Sequence, residues 1–375
     1  MKTGTMKLPL HGGKAPSWLF NRMKVLAKEI MAMMATEYTN TEILKRISDP
    51  LWFQALGCIL GFDWHSSGVT TTVCGALKEA SKVLGKDMGL YIAGGKGGAS
   101  RKTPSEIEKT SDTLGIDLSH LVYNSKISAK VDNTALQDGY QLYHHCFFFT
   151  KDGNDWAVVQ QGMNEEERMA RRYHWCSRMD LDPVCEPHAA ICCDKRRPSL
   201  NLVDKRSGKA RDVIAELSSE KPVKLIKDIK KLREHASKTR LEYDLPARHD
   251  ILKDDIDLKR LEKIFLKTYE TRPAGFEDLL SIRGVGPKTI RALALISELV
   301  YGVEYSITDP ARFSFAHGGK DGIPYPVDRK NYDTSIEILH KALKGSKISR
   351  TDKIKAIKRL TYFYDEQKRS SKHIK

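Results

Sequence analysis

Residues 279–293 read LLSIRGVGPKTIRAL, and this stretch decides how the C-terminal part of the chain folds. The pattern predicts a short helix that ends at Ile282, a hairpin with two glycines, and a second helix that begins at Pro287. Glycine lets a backbone turn sharply and approach another molecule closely, and proline suits the first turn of a helix. The hairpin and the helix start offer N–H groups of the kind that bind phosphate, and Lys288 adds a positive charge there.

This segment resembles the helix-hairpin-helix motif of DNA repair enzymes and nucleases, which holds a DNA backbone without reading its sequence. The resemblance implies DNA contacts from five residues of the segment, namely Arg283, Gly284, Gly286, Lys288 and Thr289. An ordinary pair of helices joined by a glycine turn is the alternative.

The composition favours a polyanionic partner. The chain has 375 residues, a formal charge of +15 and a pI near 9.3, which are typical of proteins that bind nucleic acid. Its mean hydropathy is −0.46, and no stretch reads as a membrane span. The seven cysteines, an odd number, suggest reduced thiols, and we therefore expect a cytoplasmic protein.

The composition changes near residue 195, which predicts two domains. All seven cysteines precede this point, whereas the pattern beyond it is helical. Mixed helix and strand patterns before it, with strands at 140–150 and 156–161, predict an α+β (mixed) N-terminal domain. An all-α helix-hairpin-helix domain follows. The predicted ranges are 1–195 for the α+β domain, 196–210 for a linker, 211–367 for the helical domain and 368–375 for a basic tail.

The segment FDWHSSG at 62–68 precedes a predicted helix and is the first candidate for chemistry. Asp63 and His65 are two residues apart in an extended segment, so their side chains project to the same side. Together they can bind a divalent metal or act as an acid–base pair. In the alternative interpretation, Asp63 caps the helix and His65 bonds a buried carbonyl.

A glycine-rich, positively charged loop follows a predicted strand at 90–93 and leads into a helix that begins at Thr103. It contains Lys96, Arg101 and Lys102, and its spacing departs from that of a nucleotide-binding P-loop. We expect this loop to clamp a DNA backbone or cover an active site, with a catalytic role for Lys96 and DNA contacts from Arg101 and Lys102. A mere linker is the alternative.

Polar residues interrupt the two apolar strands. Asp138, His144 and Gln161 lie in or beside these strands, where a buried polar group without a partner is costly. An acid and a polar residue on neighbouring strands are typical of many metal-dependent nucleases, although the acid-x-Lys signature of restriction-like nucleases is missing. The alternative is that these side chains only satisfy hydrogen bonds of the core.

A zinc site is a further hypothesis. Cys185, His188, Cys192 and Cys193 have suitable donor atoms, but their spacing is not that of a standard zinc finger. Buried cysteines without a metal are the alternative. Just upstream, residues 171–175 (RRYHW) mix cations with aromatic rings, which predicts either contact with unpaired bases or a half-buried strand.

Four further motifs resemble an archaeal and bacterial family classed as a domain of unknown function. They are LPLHGG at 8–13, LWFQALG at 51–57, DWHSSG at 63–68 and VVQQGMN at 158–164. The resemblance covers most of the chain and implies a nuclease-like N-terminal domain joined to a helix-hairpin-helix DNA-binding domain.

A second resemblance is to helix-hairpin-helix DNA glycosylases with lyase activity. These enzymes carry a nucleophilic lysine at the position of Lys288 and a catalytic aspartate one helix and one loop later, where this chain has Asp309. Such a lysine would attack the sugar C1′, and the aspartate would stabilise positive charge there. The gap between the two residues is slightly longer than usual, and Asp309 as a helix cap is the alternative.

Together these features predict a metal-dependent DNA nuclease that acts in DNA repair or processing, on single-stranded or junction DNA and without sequence preference. Mn²⁺ or Mg²⁺ would polarise the scissile phosphate and activate water. The predicted catalytic residues are Asp63, His65, Lys96, Asp138, His144 and Gln161, with Asp63, His65 and His144 as metal ligands. The alternatives are a glycosylase/AP lyase that uses Lys288 and Asp309, and a DNA-binding protein without catalytic activity.

Overall fold

A computed structural model describes residues 15–62, 67–178, 182–193, 196–236, 257–311, 337–339 and 341–372. The helices are α1 (Ser17–Glu37), α2 (Asn40–Ile47), α3 (Pro50–Leu60), α4 (Gly68–Met88), α5 (Thr103–Leu114), α6 (Ser119–Lys130), α7 (Gly208–Ser218), α8 (Pro222–Ala236), α9 (Leu258–Thr271), α10 (Phe276–Ser281), α11 (Pro287–Tyr301) and α12 (Arg350–Lys372). The strands are β1 (Leu90–Lys96), β2 (Leu136–Gln137), β3 (Gln141–Thr150), β4 (Trp156–Asn164), β5 (Met169–Cys176), β6 (His188–Cys192) and β7 (Leu200–Asn201).

Antiparallel pairing joins five strands into one sheet in the order β1-β3-β4-β5-β6, and β2 pairs separately with β7. The strands predicted at 140–150 and 156–161 correspond to β3 and β4, which a tight turn at Gly153 joins. Their many β-branched and aromatic residues fit a pleated, buried surface. The mixed helix and strand composition predicted for the chain is thereby confirmed.

The sheet separates two hydrophobic cores, because side chains alternate between its faces. On one face, Cys146 and Phe148 pack with residues of α1–α4 and α12. On the other face, Phe147 and Phe149 pack with residues of α6–α11. Each core therefore contains residues from both sides of the predicted boundary at 195, and the division into two domains stays a prediction.

The stretch predicted as a linker, 196–210, belongs to the packed structure. Leu200 and Leu202 are 1% and 0% exposed, and β7 in this stretch pairs with β2. Its polar residues suggested a solvated connection, but they bond to distant parts of the chain. Asp204, for example, accepts a hydrogen bond of 2.8 Å from the hydroxyl of Ser306.

The predicted basic tail, 368–375, is helical as far as Lys372, where α12 ends. Among the helices that the structure describes, none has the length and apolar character needed to cross a membrane.

Candidate functional site

The hairpin between α10 and α11 has the backbone that the sequence predicts. α10 is followed by Ile282 as its C-cap, and α11 begins at Pro287. Gly284 has φ +106°, a conformation that favours glycine, whereas Gly286 is extended at φ −144°. Any residue can adopt the second conformation, and a Cβ at Gly286 would lie 3.9 Å from its nearest neighbour, the carbonyl oxygen of Gly284. The fold therefore requires glycine at 284 but not at 286.

Two lysines bond the hairpin carbonyls. Lys130 of α6 donates to the carbonyl of Val285, and Lys267 of α9 donates to that of Arg283 over 2.9 Å. Burial lowers the pKa of Lys130, and the charge of Lys267 lowers it further. These bonds occupy oxygens that would repel a phosphate and place ammonium groups beside the hairpin. The local field therefore favours an anion.

Most of the predicted DNA contacts in the hairpin are accessible. Arg283, Gly284 and Lys288 are exposed, and Gly286 is partly exposed. Thr289 is only 2% exposed, so its hydroxyl packs inside and cannot contact DNA as predicted. Its backbone N–H lies in the first turn of α11, where N–H groups are free of helical partners.

Three of the predicted catalytic residues form a row across the sheet. Lys96 on β1 is opposite His144 on β3, and His144 is opposite Gln161 on β4. Residues directly opposite each other share a face of the sheet. Lys96 is exposed, with its Nζ 5.8 Å from the centre of the Tyr143 ring, whereas His144 and Gln161 are buried. This cross-strand row (Lys96, His144 and Gln161) thus runs from the surface into the interior.

Gln161 connects the cross-strand row to the start of α4. Thr70 donates a hydrogen bond to its side-chain carbonyl, and its amide donates to the hydroxyl of Tyr143. The same amide donates to the backbone carbonyl of Ser67 over 3.0 Å. Gln161 is therefore fixed by partners on two different elements.

Asp63 and His65 lie outside the described residues, so their predicted role is untested. Ser67, two residues after His65, is described, and its carbonyl is bonded to Gln161. Ser67 therefore contacts the cross-strand row.

The glycine-rich loop takes a defined conformation. A 3₁₀ helix, Gly97–Lys102, follows Lys96 directly and leads into α5, which begins at Thr103 as predicted. Arg101 and Lys102 are exposed in its last turn, so both are accessible to a DNA backbone. Their predicted DNA contact stays a prediction.

His144 lies in a group that could hold a metal ion. Its ring nitrogens and the sulfur atoms of Cys74 and Cys146 supply ligand atoms within 4.8 Å of one another, and all three residues are buried. Burial lowers the pKa of His144 to about 3, and the charges of His145 and Lys96 act in the same direction. The imidazole is therefore neutral, as a metal ligand must be.

Asp138 is not part of the cross-strand row. It accepts hydrogen bonds from Arg171 over 2.9 Å and from the hydroxyl of Tyr173 over 2.7 Å. Arg171 also donates to Asp309 over 2.7 Å. Burial raises the pKa of Asp138, and the charge of Arg171 opposes that shift. Asp138 thus compensates a buried guanidinium away from the cross-strand row, and its predicted catalytic role stays a prediction.

The aromatic and basic segment at 171–175 is a buried strand. Arg171 and Arg172 in β5 are both 0% exposed. Arg172 bonds Gln54 over 3.1 Å and lies 4.8 Å from the centre of the Phe53 ring. The segment therefore cannot stack on unpaired bases.

The predicted zinc ligands Cys185, His188, Cys192 and Cys193 do not converge. His188 is bonded through Nε2 to the buried carboxylate of Asp132. Cys192 belongs to the core beneath α1–α4, whereas Cys193 faces the opposite side and contacts a tyrosine hydroxyl. These four residues therefore cannot share one zinc ion.

Sequence reasoning missed Cys74, Cys146 and Thr70. Cys146 follows His144 by two residues in a strand, a spacing that predicts one shared face. Thr70 and Cys74 are four residues apart in α4, so they lie on one helical face, which packs on the sheet. Only the packing of α4 on β3 reveals that these two patterns meet.

Among curated proteins and solved structures, none matches the chain. Residues 4–327 match the family described as "Protein of unknown function (DUF763)". That range includes β1–β7, the hairpin, and the cysteine and histidine group. Since the match extends over well more than half of the sequence, the chain belongs to this family of unknown function.

Proposed function

We propose that this protein grips DNA by its phosphate backbone and cleaves it in a metal-dependent reaction. The observation that carries the proposal is the exposed hairpin, in which Gly284 is required by backbone conformation but Gly286 is not. A glycine that folding does not require is explained by the close approach of a ligand. Positive charge on Arg283, Lys267 and Lys288 and the N–H groups at the start of α11 favour phosphate as that ligand.

Such binding would be independent of DNA sequence. Phosphate contacts position a protein on DNA but carry no base information. The formal charge of +15 adds an attraction that weakens with salt. We therefore expect similar affinities for unrelated sequences and a steep loss of affinity as the salt concentration rises.

We place the cleavage step at the outer end of the cross-strand row. Lys96 is exposed there and would stabilise charge on a scissile phosphate. Asp63 and His65 are the proposed ligands of Mn²⁺ or Mg²⁺, with the Asp63 carboxylate as the oxygen donor that these ions prefer. Ser67, which follows them in the chain, contacts Gln161 of the row. His144 is better suited to a softer ion, since its neighbours are thiols.

The glycosylase/lyase alternative gains little support. Its nucleophile must be a lysine in a desolvated pocket, but Lys288 is exposed. Its aspartate must face the reacting sugar, but Asp309 is bonded to Arg171 and to the backbone N–H of Arg197 over 3.0 Å. An aspartate that neutralises a buried arginine is not available to stabilise a sugar cation.

Binding can be tested with the full chain and labelled duplex, single-stranded and bubble DNA. Lys288→Glu should weaken binding to all sequences alike and reduce the slope of log affinity against log salt by about 1 or more. Lys355→Glu, on the exposed side of α12, makes the same charge change away from the hairpin and is the control. Equal losses in both variants would mean that net charge, not the hairpin, holds the DNA.

Cleavage can be tested on the same DNAs with added Mn²⁺, added Mg²⁺ or chelator. We expect strand cleavage with a metal ion and none with chelator. Binding without cleavage under every condition would identify a non-catalytic DNA-binding protein. Cleavage that persists in chelator would refute the metal-dependent mechanism.

A further inference from the structure

The buried group of Cys74, His144 and Cys146 contains a histidine whose ring nitrogens lack partners among the described residues. His144 is 1% exposed, and the described part of the chain offers neither of its ring nitrogens a hydrogen-bond partner. Cys74 and Cys146 are 0% and 1% exposed. A buried imidazole without partners costs free energy, and native proteins rarely tolerate one.

The neighbouring polar residues do not relieve this cost. Gln161, directly opposite His144, uses its amide for Tyr143 and Ser67 and its carbonyl for Thr70. By contrast, the buried histidine on the other face, His145, bonds Ser125 over 2.9 Å and Gln160 over 2.8 Å. The same strand therefore holds one fully satisfied histidine and one with a ring nitrogen within 4.8 Å of two sulfur atoms.

We propose that Cys74, His144 and Cys146 bind one thiophilic divalent ion, for which Zn²⁺ is the best match. Two thiolates and one neutral imidazole are ligands that zinc takes in proteins. Two thiolates also cancel the charge of a divalent cation, which matters in a core that cannot solvate a net charge. Mn²⁺ and Mg²⁺ do not fit, because they prefer oxygen ligands.

Binding would release the two thiol protons to solvent, while the neutral imidazole coordinates through a lone pair. Burial raises the pKa of Cys74 well above its ordinary value, and the positive charge of nearby Arg172 opposes that shift. Because Cys74 lies in α4 and the other two ligands lie in β3, the ion would fasten this helix to the sheet. Thr70, one turn before Cys74, fastens the same helix to Gln161.

The test uses the full chain, stripped with chelator under reducing conditions and reloaded with Zn²⁺ or Co²⁺ alone. We expect about one tightly held ion per chain by elemental analysis. Co²⁺ should show the near-ultraviolet sulfur-to-metal charge-transfer band that thiolate ligands produce. Mn²⁺ should not compete at equal concentration.

Matched cysteine variants locate the site. Cys74→Ala and Cys146→Ala should lose the tightly bound ion and the charge-transfer band. Cys176→Ala, which removes a different buried strand thiol, should keep both. If an alanine variant fails to fold, the metal content of His144→Gln and the Co²⁺ spectrum of the unmodified protein still test whether the ion binds at this group.

Three results would overturn the proposal. The first is that the reduced protein binds neither Zn²⁺ nor Co²⁺. The second is that the Co²⁺ complex shows no sulfur-to-metal band. The third is that Cys176→Ala loses the ion as completely as Cys74→Ala does. The test of this site is independent of the proposed nuclease activity, because every readout is metal content or a spectrum. A protein that binds no DNA could still bind the ion, and the reverse also holds.

Discussion

Gly284 and Gly286 provide a paired test that separates folding from DNA binding. Both lie in the hairpin, but Gly284 has φ +106° and Gly286 has φ −144°. Alanine fits the second conformation and not the first. Gly286→Ala should therefore leave the fold intact and weaken DNA binding, whereas Gly284→Ala should weaken both.

The expected magnitudes follow from the backbone. A Cβ at Gly286 would lie 3.9 Å from its nearest neighbour, which is an ordinary contact. Because alanine has fewer conformations than glycine in the unfolded chain, Gly286→Ala should raise the free energy of unfolding by about 0.4–1 kcal/mol. At Gly284 the space is also sufficient, with 3.8 Å to Ile264, but the strained φ should cost about 1–3 kcal/mol. The sign of the stability change thus differs between two neighbouring glycines.

For Gly286→Ala, the expected change in the free energy of DNA binding is larger than the change in the free energy of unfolding. If the new methyl group displaces one backbone hydrogen bond to a phosphate, the loss is about 1.5–3 kcal/mol. That corresponds to roughly a 10- to 150-fold weaker affinity. Urea unfolding gives the stability, and a fluorescence anisotropy titration of labelled duplex DNA at fixed salt gives the affinity. An unchanged affinity in Gly286→Ala would refute the close approach of phosphate to this residue.

Three further predictions test the chemistry and the packing. Asp63→Ala or His65→Ala should abolish metal-dependent cleavage with DNA affinity nearly unchanged, and cleavage of DNA at the parental rate by both variants would show that the metal ligands lie elsewhere. Borohydride should trap no covalent adduct on abasic, uracil or oxidised-guanine DNA, and a strong adduct that vanishes in Lys288→Gln would make this a base-excision enzyme. Hydrogen bonds from a neighbouring arginine lower the pKa of Asp204 to about 2, so this carboxylate stabilises the fold above pH ~4 and loses that effect as the pH falls towards 2. Asp204→Asn should therefore lower the free energy of unfolding by about 1 kcal/mol at pH 7, after allowance for solvent screening, and leave it unchanged near pH 2. The control Asp212→Asn, which changes an exposed carboxylate, should leave the free energy of unfolding unchanged at both pH values.

Local signals in the sequence were sufficient for the hairpin and for the central strands. Glycine, proline and alternating apolar residues act within a few positions, so their structural effect is visible without a partner. The stretch at 196–210 reads as a linker from its composition, but its polar residues form long-range bonds. Asp204 pairs with Ser306, a contact that composition cannot reveal. A polar stretch thus indicates a linker only when its hydrogen bonds go to water.

The candidate site shows the same limit more sharply. His144 was predicted as a ligand of Mn²⁺ or Mg²⁺ together with Asp63 and His65. In the fold, the neighbours of His144 are Cys74 and Cys146, a set that selects a thiophilic ion. His144 is a candidate ligand in both sets, but the expected chemistry differs because one neighbour, Cys74, comes from a helix far away in the chain.

This difference in ligands also determines how the proposed activity must be assayed. A chelator that removes Mn²⁺ or Mg²⁺ also removes Zn²⁺, so loss of cleavage in chelator has two possible causes. Loss of a zinc ion at Cys74 would release α4 and disturb Gln161 through Thr70, which alters the cross-strand row without touching a catalytic metal.

The decisive measurement is therefore the restoration of cleavage by an added metal ion. If Mn²⁺ or Mg²⁺ added to zinc-loaded protein restores cleavage and Zn²⁺ alone does not, the catalytic ion is distinct from the buried one. If Zn²⁺ alone restores it, the buried group is sufficient, and a separate hard-metal site is unnecessary.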